Sequence, residues 1–191
     1  VSARAADGWT RSVVDLAPGE SALLVLDRTA KPGEAPAARQ VGATLLPMDG
    51  WTFTVAGHAA RQPYAHDFGA VRLGDWRNVP ELARFAGTGT YRRTVTVDPA
   101  WVAVGKRLTL DLGEVRDMAT VSVNGQALPP LIASPWRVDV TDAMKAGPNE
   151  IAVVVANVPQ NAMVDPKHPA NKKLVPVAAG WMGPARLVVE R

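Results

Sequence analysis

Thr90-Tyr-Arg-Arg-Thr-Val-Thr-Val97 places Tyr91, Val95 and Val97 on one face of an extended chain. A period of two means one face buried and one face wet, which is the mark of a β-strand in a layered fold. The same alternation recurs downstream in Arg107-Leu-Thr-Leu-Asp-Leu112, in Ala119, Val121 and Val123, in Trp136, Val138 and Val140, and in Ile151, Val153 and Val155. Upstream it appears in Thr52-Phe-Thr-Val55, and Arg186-Leu-Val-Val-Glu190 closes the chain. Short strands at spacings of roughly ten residues, separated by turn residues, predict an all-β antiparallel sandwich or barrel. Asn124-Gly125 supplies the positive φ angles of a tight hairpin. Asp98-Pro99 starts a turn, and Thr141 to Gly147 reads as one helical turn capped by Thr141 and ended by Gly147. Gly57 to Gly69, Gly74 to Gly89 and Asn157 to Gly183 are the longest stretches without a period, and they read as loops.

Before residue 41 the pattern changes. Arg11-Ser-Val-Val-Asp-Leu16 and Ser21 to Asp27 flank Ala17-Pro18-Gly19-Glu20, which reads as a β-hairpin extension, with Trp9 packed against it. Thr29 to Gln40 is rich in Pro, Gly and Ala and reads as a linker.

The 191 residues are 47% hydrophobic and 20% charged, which suits a folded domain rather than disorder. No cysteine is present, so disulfides, Cys-ligated zinc and thiol catalysis are excluded. No apolar run reaches membrane-spanning length, so no membrane partner is expected. Val1 is not followed by a basic start and an apolar stretch, as expected of a mature protein or a cut fragment. The net charge of +3 is spread along the chain, with only Lys167 to Lys173 locally basic, and that is no footprint for nucleic acid.

Catalytic motifs are sparse. His58, His66 and His168 have no second histidine at ligand spacing, and His66-Asp67 reads as a solvated pair. Gly87-Thr-Gly89 precedes a strand rather than opening a helix, so it lacks the helix end that would bind phosphate. Asp111, Glu114 and Asp117 are the nearest thing to the paired carboxylates of glycoside hydrolysis. Their expected role is surface charge and turn capping. The six tryptophans say more. Trp51, Trp101 and Trp136 bound strand patterns and are expected in the core. Trp76 and Trp181 lie in the aperiodic stretches, where an indole either stacks on a sugar or plugs an end of the sandwich. Arg77, Asn78, Asn157, Asn161 and Asn171 are loop polar groups able to orient hydroxyls or to satisfy turns.

The run from Thr90 to Val97, then Leu108-Thr-Leu-Asp-Leu-Gly-Glu-Val-Arg-Asp-Met-Ala-Thr-Val-Ser-Val-Asn-Gly125, then Trp136 to Asn157, resembles the galactose-binding-like jelly-roll domains of glycoside hydrolases. Leu73-Gly-Asp-Trp76, Phe85-Ala-Gly-Thr-Gly-Thr-Tyr91 and Ala179-Gly-Trp-Met-Gly-Pro-Ala-Arg-Leu187 look closest to the C-terminal domain of family 106 α-L-rhamnosidases, and more distantly to the sugar-binding domain of family 2 enzymes. The resemblance implies a galactose-binding-like β-sandwich over residues 41–191. Before the 29–40 linker, it implies over 1–28 a β-hairpin from the end of a preceding β-domain. Asn157 to Asp165 resembles a family segment that often reads Asn-x-x-x-Asn-Arg-Leu, with Ala162 where arginine is usual. The implied function is a non-catalytic carbohydrate-binding or accessory domain of a multidomain, α-L-rhamnosidase-like glycoside hydrolase. In one reading Trp76, Arg137, Asn161 and Trp181 contact a rhamnose- or galactose-containing glycan. In another the domain packs on a catalytic domain and binds no sugar. A stand-alone hydrolase is the third. Exposed indoles at Trp76 and Trp181 favour the first, and buried ones the second. Such domains often hold a structural calcium where the chain ends meet, with Glu190 and backbone carbonyls as candidate ligands, and their parent enzymes are commonly exported to the periplasm or outside the cell.

Overall fold

Alternation over residues 85–97 builds the longest strand, and the other strands are laid against it. The computed structural model of the chain describes residues 2–6, 9–14, 16, 21, 42–164 and 174–190. In chain order the strands are β1 (Ser2–Ala6), β2 (Trp9–Val13), β3 (Gly42–Leu45), β4 (Trp51–Ala59), β5 (Gln62–Val71), β6 (Phe85–Val97) and β7 (Arg107–Asp111). They continue with β8 (Glu114–Arg116), β9 (Met118–Val123), β10 (Gln126–Ala127), β11 (Arg137–Asp139) and β12 (Gly147–Ala156). A short helix, α1 (Gln160–Met163), precedes β13 (Gly180–Gly183) and β14 (Arg186–Glu190). Six strands form one sheet in the order β10-β9-β12-β6-β4-β5, and four form a second in the order β11-β7-β14-β3. Every pairing in both is antiparallel. This is the expected antiparallel β-sandwich of galactose-binding-like jelly-roll type.

The inward residues fill the space between the sheets. Phe53, Tyr91, Val121, Val123, Ile151, Val153 and Val155 come from the six-stranded sheet, and Leu108, Leu110, Val138, Leu187 and Val189 from the four-stranded one. Fully burying a side chain of this size contributes about 1.5–3 kcal/mol, so this layer is the main source of stability. An aromatic cluster forms part of it. Phe53 stacks on Tyr91 with ring centroids 4.4 Å apart. Trp181 meets Trp51 edge-on at 4.7 Å and Tyr91 at 5.5 Å. Trp51 is fully buried, whereas Trp101 and Trp136 are half-buried against the core.

The turns follow local chemistry. Asn124 and Gly125 take φ of 52° and 82°, closing the expected hairpin between β9 and β10. Asp98 caps the following turn by accepting from the Ala100 N–H at 2.7 Å.

Two expectations need correction. Gly57 to Gly69 is not a loop: β4 runs to Ala59, Ala60 and Arg61 make a turn at positive φ, and β5 returns along β4. A register shift between Thr52 and Thr54 breaks the period, and β5 is an exposed edge, so no apolar alternation announces it. The turn after β11 is hydrogen-bonded from the Ala143 and Met144 N–H groups to the Val140 carbonyl. Thr141 does not cap it: its hydroxyl accepts from the Leu108 N–H and donates to Asp139, while Gly147 already belongs to β12. In the N-terminal region Ser2 to Ala6 pairs with Trp9 to Val13, so Arg11 to Val13, where the expected hairpin begins, lies against the residues before it. Residues 17–20 and 22–27 of that hairpin, the 29–40 linker, the Trp9 side chain, Lys167 to Lys173, His168 and Asn171 lie outside the described residues.

One close approach shapes the sheet. Gly57 of β4 pairs with Gly87 of β6, and a Cβ on Gly57 would stand 2.3 Å from the Ala86 carbonyl oxygen and 2.7 Å from the Gly87 Cα. Both obstacles are backbone, so neither can step aside. Gly74, by contrast, has open space around it. Gly57→Ala is therefore expected to cost about 2–3 kcal/mol by urea unfolding, and Gly74→Ala less than about 0.5 kcal/mol. Equal costs would show that the two strands do not approach in this way.

Candidate functional site

Of the four residues expected to touch sugar, three are buried: Trp76, Asn161 and Trp181. Trp76 opens a 3-10 turn (Trp76–Asn78) whose start is capped by Asp75, which accepts from the Arg77 N–H at 2.9 Å. The turn folds inward: the Trp76 N–H donates to the Ala179 carbonyl, and the indole Nε1 donates to the Tyr91 hydroxyl at 2.7 Å. Phe85 lies edge-on to the indole at 5.6 Å. Trp181 sits in β13 and donates Nε1–H to the Leu112 carbonyl at 2.7 Å. Trp76 is 2% exposed and Trp181 0%. Neither indole offers a face to a ligand, which corrects the expectation of a stacking platform. Each polar N–H has a buried acceptor, so the rings enter the core without leaving a donor unpaired.

Asn161 in α1 is also fully buried. Its Oδ1 accepts from the Val177 N–H at 2.8 Å and its Nδ2 donates to the Val177 carbonyl at 2.9 Å, as a neighbouring strand would. It clamps the segment leading into β13 and has no free polar group for a sugar. Asn157 does similar work between β12 and β6, accepting from the Gly87 N–H and donating to the Phe85 carbonyl. Arg137 alone faces outward, on the surface of the four-stranded sheet, where its Nε donates to Asp111 Oδ2 at 3.1 Å.

The carboxylates are engaged elsewhere. Asp111 lies on the outward side of β7, yet its side chain is only 6% exposed because Arg137 and Arg186 cover it. Its Oδ1 accepts from the Gly113 N–H, so it caps the following turn as well. Glu114 pairs with Arg116, and Asp117 accepts from the Val158 N–H. Burial would raise the Asp75 pKa, but hydrogen bonds from the Arg77 side chain and from the Arg77 and Ala179 N–H groups outweigh it and hold the carboxyl below its ordinary value. The Thr141 hydroxyl, with the Thr141 N–H and Arg107, lowers Asp139 likewise against a desolvation cost. Burial pushes Tyr91 up to about 12 against its hydrogen bonds from Trp76 and Trp181, so its hydroxyl stays neutral.

Among the described residues no group of three or more His, Cys, Asp or Glu is placed to hold a metal. Glu190 stands opposite Arg107 in the register of β14 and β7. Calcium takes six to eight oxygen ligands, and among the described residues no two further carboxylates join Glu190 to hold one.

Among the described residues three concavities bear on the site. One of about 230 Å³ lies over Phe53, Phe68 and Trp76, and one of about 500 Å³ lies beside His58, Gly87 and Met163. The third, of about 550 Å³, is the outer face of the four-stranded sheet, lined by Arg107, Asp111, Arg137, Asp139, Arg186 and Glu190. Of these six, Arg137 was singled out from sequence as a sugar contact and Glu190 as a calcium ligand, while Asp111 was weighed as a carboxylate. The alternation that turns Leu108 and Leu110 inward also turns Arg107, Thr109 and Asp111 outward, and that was the available signal.

Known proteins share this fold. The sequence model of the family described as glycosyl hydrolase 2 galactose-binding domain-like matches residues 82–185. A Formosa agariphila protein assigned as a beta-glucuronidase is 37% identical over 80 residues, covering 42% of this chain and 7% of its own length. The structure of a rhamnosidase from Novosphingobium sp. PP1Y superposes with a TM-score of 0.61 at 30% identity, over 82% of this chain and 16% of that one. An FMN-binding beta-glucuronidase from Facaelibacterium prausnitzii L2-6 has the same fold, with a TM-score of 0.52 at 24% identity over 79% of this chain and 22% of that one. The chain thus spans a small fraction of each relative's length. With more than half of its residues matched by the family model, the chain belongs to the galactose-binding-like domains of the glycosyl hydrolase 2 type.

Proposed function

We propose that this chain is a non-catalytic accessory domain of a multidomain, α-L-rhamnosidase-like glycoside hydrolase, exported to the periplasm or beyond, and that it packs against a catalytic domain. The observation that carries the proposal is the inward placement of Trp76 and Trp181, which removes the indole platform at the sandwich end and favours a structural role for that end. The rhamnosidase part of the reading rests on the Novosphingobium likeness and on the closing run Ala179 to Leu187.

Carboxylate chemistry supports the non-catalytic part. A glycosidase acid works with a raised pKa, in an apolar pocket and opposite a second carboxyl group. Asp75 and Asp139 are shifted the other way. Asp111 is covered by Arg137 and Arg186 and also accepts from the Gly113 N–H, so it does not stand open opposite a second carboxyl group. A screen of the chain against nitrophenyl α-L-rhamnosides, β-D-glucuronides and β-D-galactosides is expected to give no turnover above buffer. Turnover lost on replacing a single carboxylate would contradict the accessory role.

The depressed carboxyls also set an acid limit. A group whose folded pKa lies below its unfolded value of 3.8 adds stability above that value and gives it up as the pH falls through the folded pKa. Unfolding free energy is therefore expected to be level down to about pH 4 and to drop below it, with a shallower drop in Asp75→Asn than in the parent chain. Denaturant titrations at pH 3 and pH 6 check this. An unchanged acid slope in Asp75→Asn would refute the assignment.

A further inference from the structure

The outer face of the four-stranded sheet carries an ordered charge pattern that packing between the layers does not require. In the register of β11, β7 and β14, Asp111 stands between Arg137 on one side and Arg186 on the other. One step along the strands Asp139, Thr109 and Val188 form a second row, and beyond it Arg107 faces Glu190. Asp111 is fully committed. Its Oδ1 takes the Gly113 N–H at 2.9 Å, and its Oδ2 takes Arg137 Nε at 3.1 Å and Arg186 Nη2 at 3.0 Å.

That commitment orients two guanidiniums while consuming little of them. Among the described residues Arg137 gives only Nε, leaving both of its Nη groups, and Arg186 gives only Nη2, leaving Nη1 and Nε. Their side chains are 47% and 45% exposed above a carboxylate that is 6% exposed. Two cations share one anion here, a local sum of +1. Arg107 and Asp139 pair at 2.8 Å and cancel. Glu190 lies four residues along β14 from Arg186, about 13 Å at strand spacing and beyond a Debye length in ordinary salt. The face is thus positive at the Arg137–Arg186 end, while Arg107, Asp139 and Glu190 leave the other end with one negative charge.

We infer that this face binds a carboxylate-bearing sugar, a uronic acid residue. Its carboxylate lies across Arg137 and Arg186, and its ring extends over Thr109 and Val188. Planar guanidiniums with paired donors match a carboxylate, and an orienting acid beneath them fixes the fork before the ligand arrives. The cavity of about 550 Å³ is far larger than a free oxyanion needs. Past the arginines its lining alternates hydroxyl and carboxylate groups with the apolar Ala43, Pro135 and Val188, which suits a ring carrying both hydroxyl and C–H surfaces. The site is independent of the accessory role, since a catalytic chain could carry it and an accessory one could lack it.

The test is a titration of the 191-residue chain, followed by NMR and calorimetry, with D-glucuronate, D-glucose and sodium sulfate in separate arms. Glucuronate is expected to bind in the millimolar range, with affinity falling as salt rises, and to shift the resonances of β7, β11 and β14. Glucose is expected to give no such shift, and sulfate to bind more weakly than glucuronate. Arg137→Gln and Arg186→Gln are each expected to weaken glucuronate at least about tenfold. Arg137→Lys keeps the charge beside Asp111 and still loses the paired donors, so it is expected to fold normally and to bind several-fold more weakly. No glucuronate response at about 50 mM, an equal response to glucose, sulfate bound as tightly as glucuronate, or full binding by Arg137→Lys would each overturn the inference.

Discussion

Two hydrogen bonds from indole nitrogens hold the closing segments of this sandwich to its sheets. Trp76 reaches the Tyr91 hydroxyl and Trp181 reaches the Leu112 carbonyl, both at 2.7 Å and both out of contact with water. The bonds matter less for their own energy than for what they permit. A tryptophan brings a large apolar body and one polar atom, and it packs deeply only where that atom finds a partner. Tyr91 serves both rings, since the Trp181 ring lies edge-on to it and its hydroxyl accepts from Trp76. The segment after β5 and the one leading to β13 are thereby drawn over the same end of the core, where the Trp76 N–H joins them through the Ala179 carbonyl.

This constraint decides where function can lie. An end sealed by Trp76 and Trp181, with Asn161 clamping the chain beside it, leaves no indole platform for a ligand there. The outer surface of the four-stranded sheet is different. Its inner residues Leu108, Leu110, Leu187 and Val189 meet the packing requirement, which leaves the outward positions free to carry charge. Arginine, aspartate and glutamate occupy them in a fixed lattice, because strand register sets neighbours to within one residue. A rigid sheet is also a better support for a paired guanidinium than a loop would be.

Much of this was legible in the sequence because period-two alternation is a local signal. β6, β7 and β9 lie where Tyr91, Leu108 and Val121 alternate with polar neighbours, β12 and β14 lie where Ile151, Val153 and Val155 and then Leu187 and Val189 keep the same period, and the Asn124-Gly125 turn announced its own geometry. β5 escaped because a register shift and an exposed edge erase alternation. The tryptophans escaped for another reason. Whether Trp76 or Trp181 turns inward depends on an acceptor 15 residues away in one case and 69 in the other, and no local pattern encodes that. The site was half-legible on the same grounds. Alternation puts Asp111 and Arg137 on outward faces, but their meeting with Arg186, 75 residues from Asp111, is a product of topology.

Indole hydrogen exchange tests the central claim most directly. The Nε1–H resonances of Trp76 and Trp181, assigned with Trp76→Phe and Trp181→Phe, report whether these rings are sealed in the core. Two signals that persist in deuterated buffer on the timescale of the slowest core amides are the expected result. Loss of both within the first spectrum would mean that the rings are open to water, and that the end of the sandwich, not its outer sheet, faces the ligand.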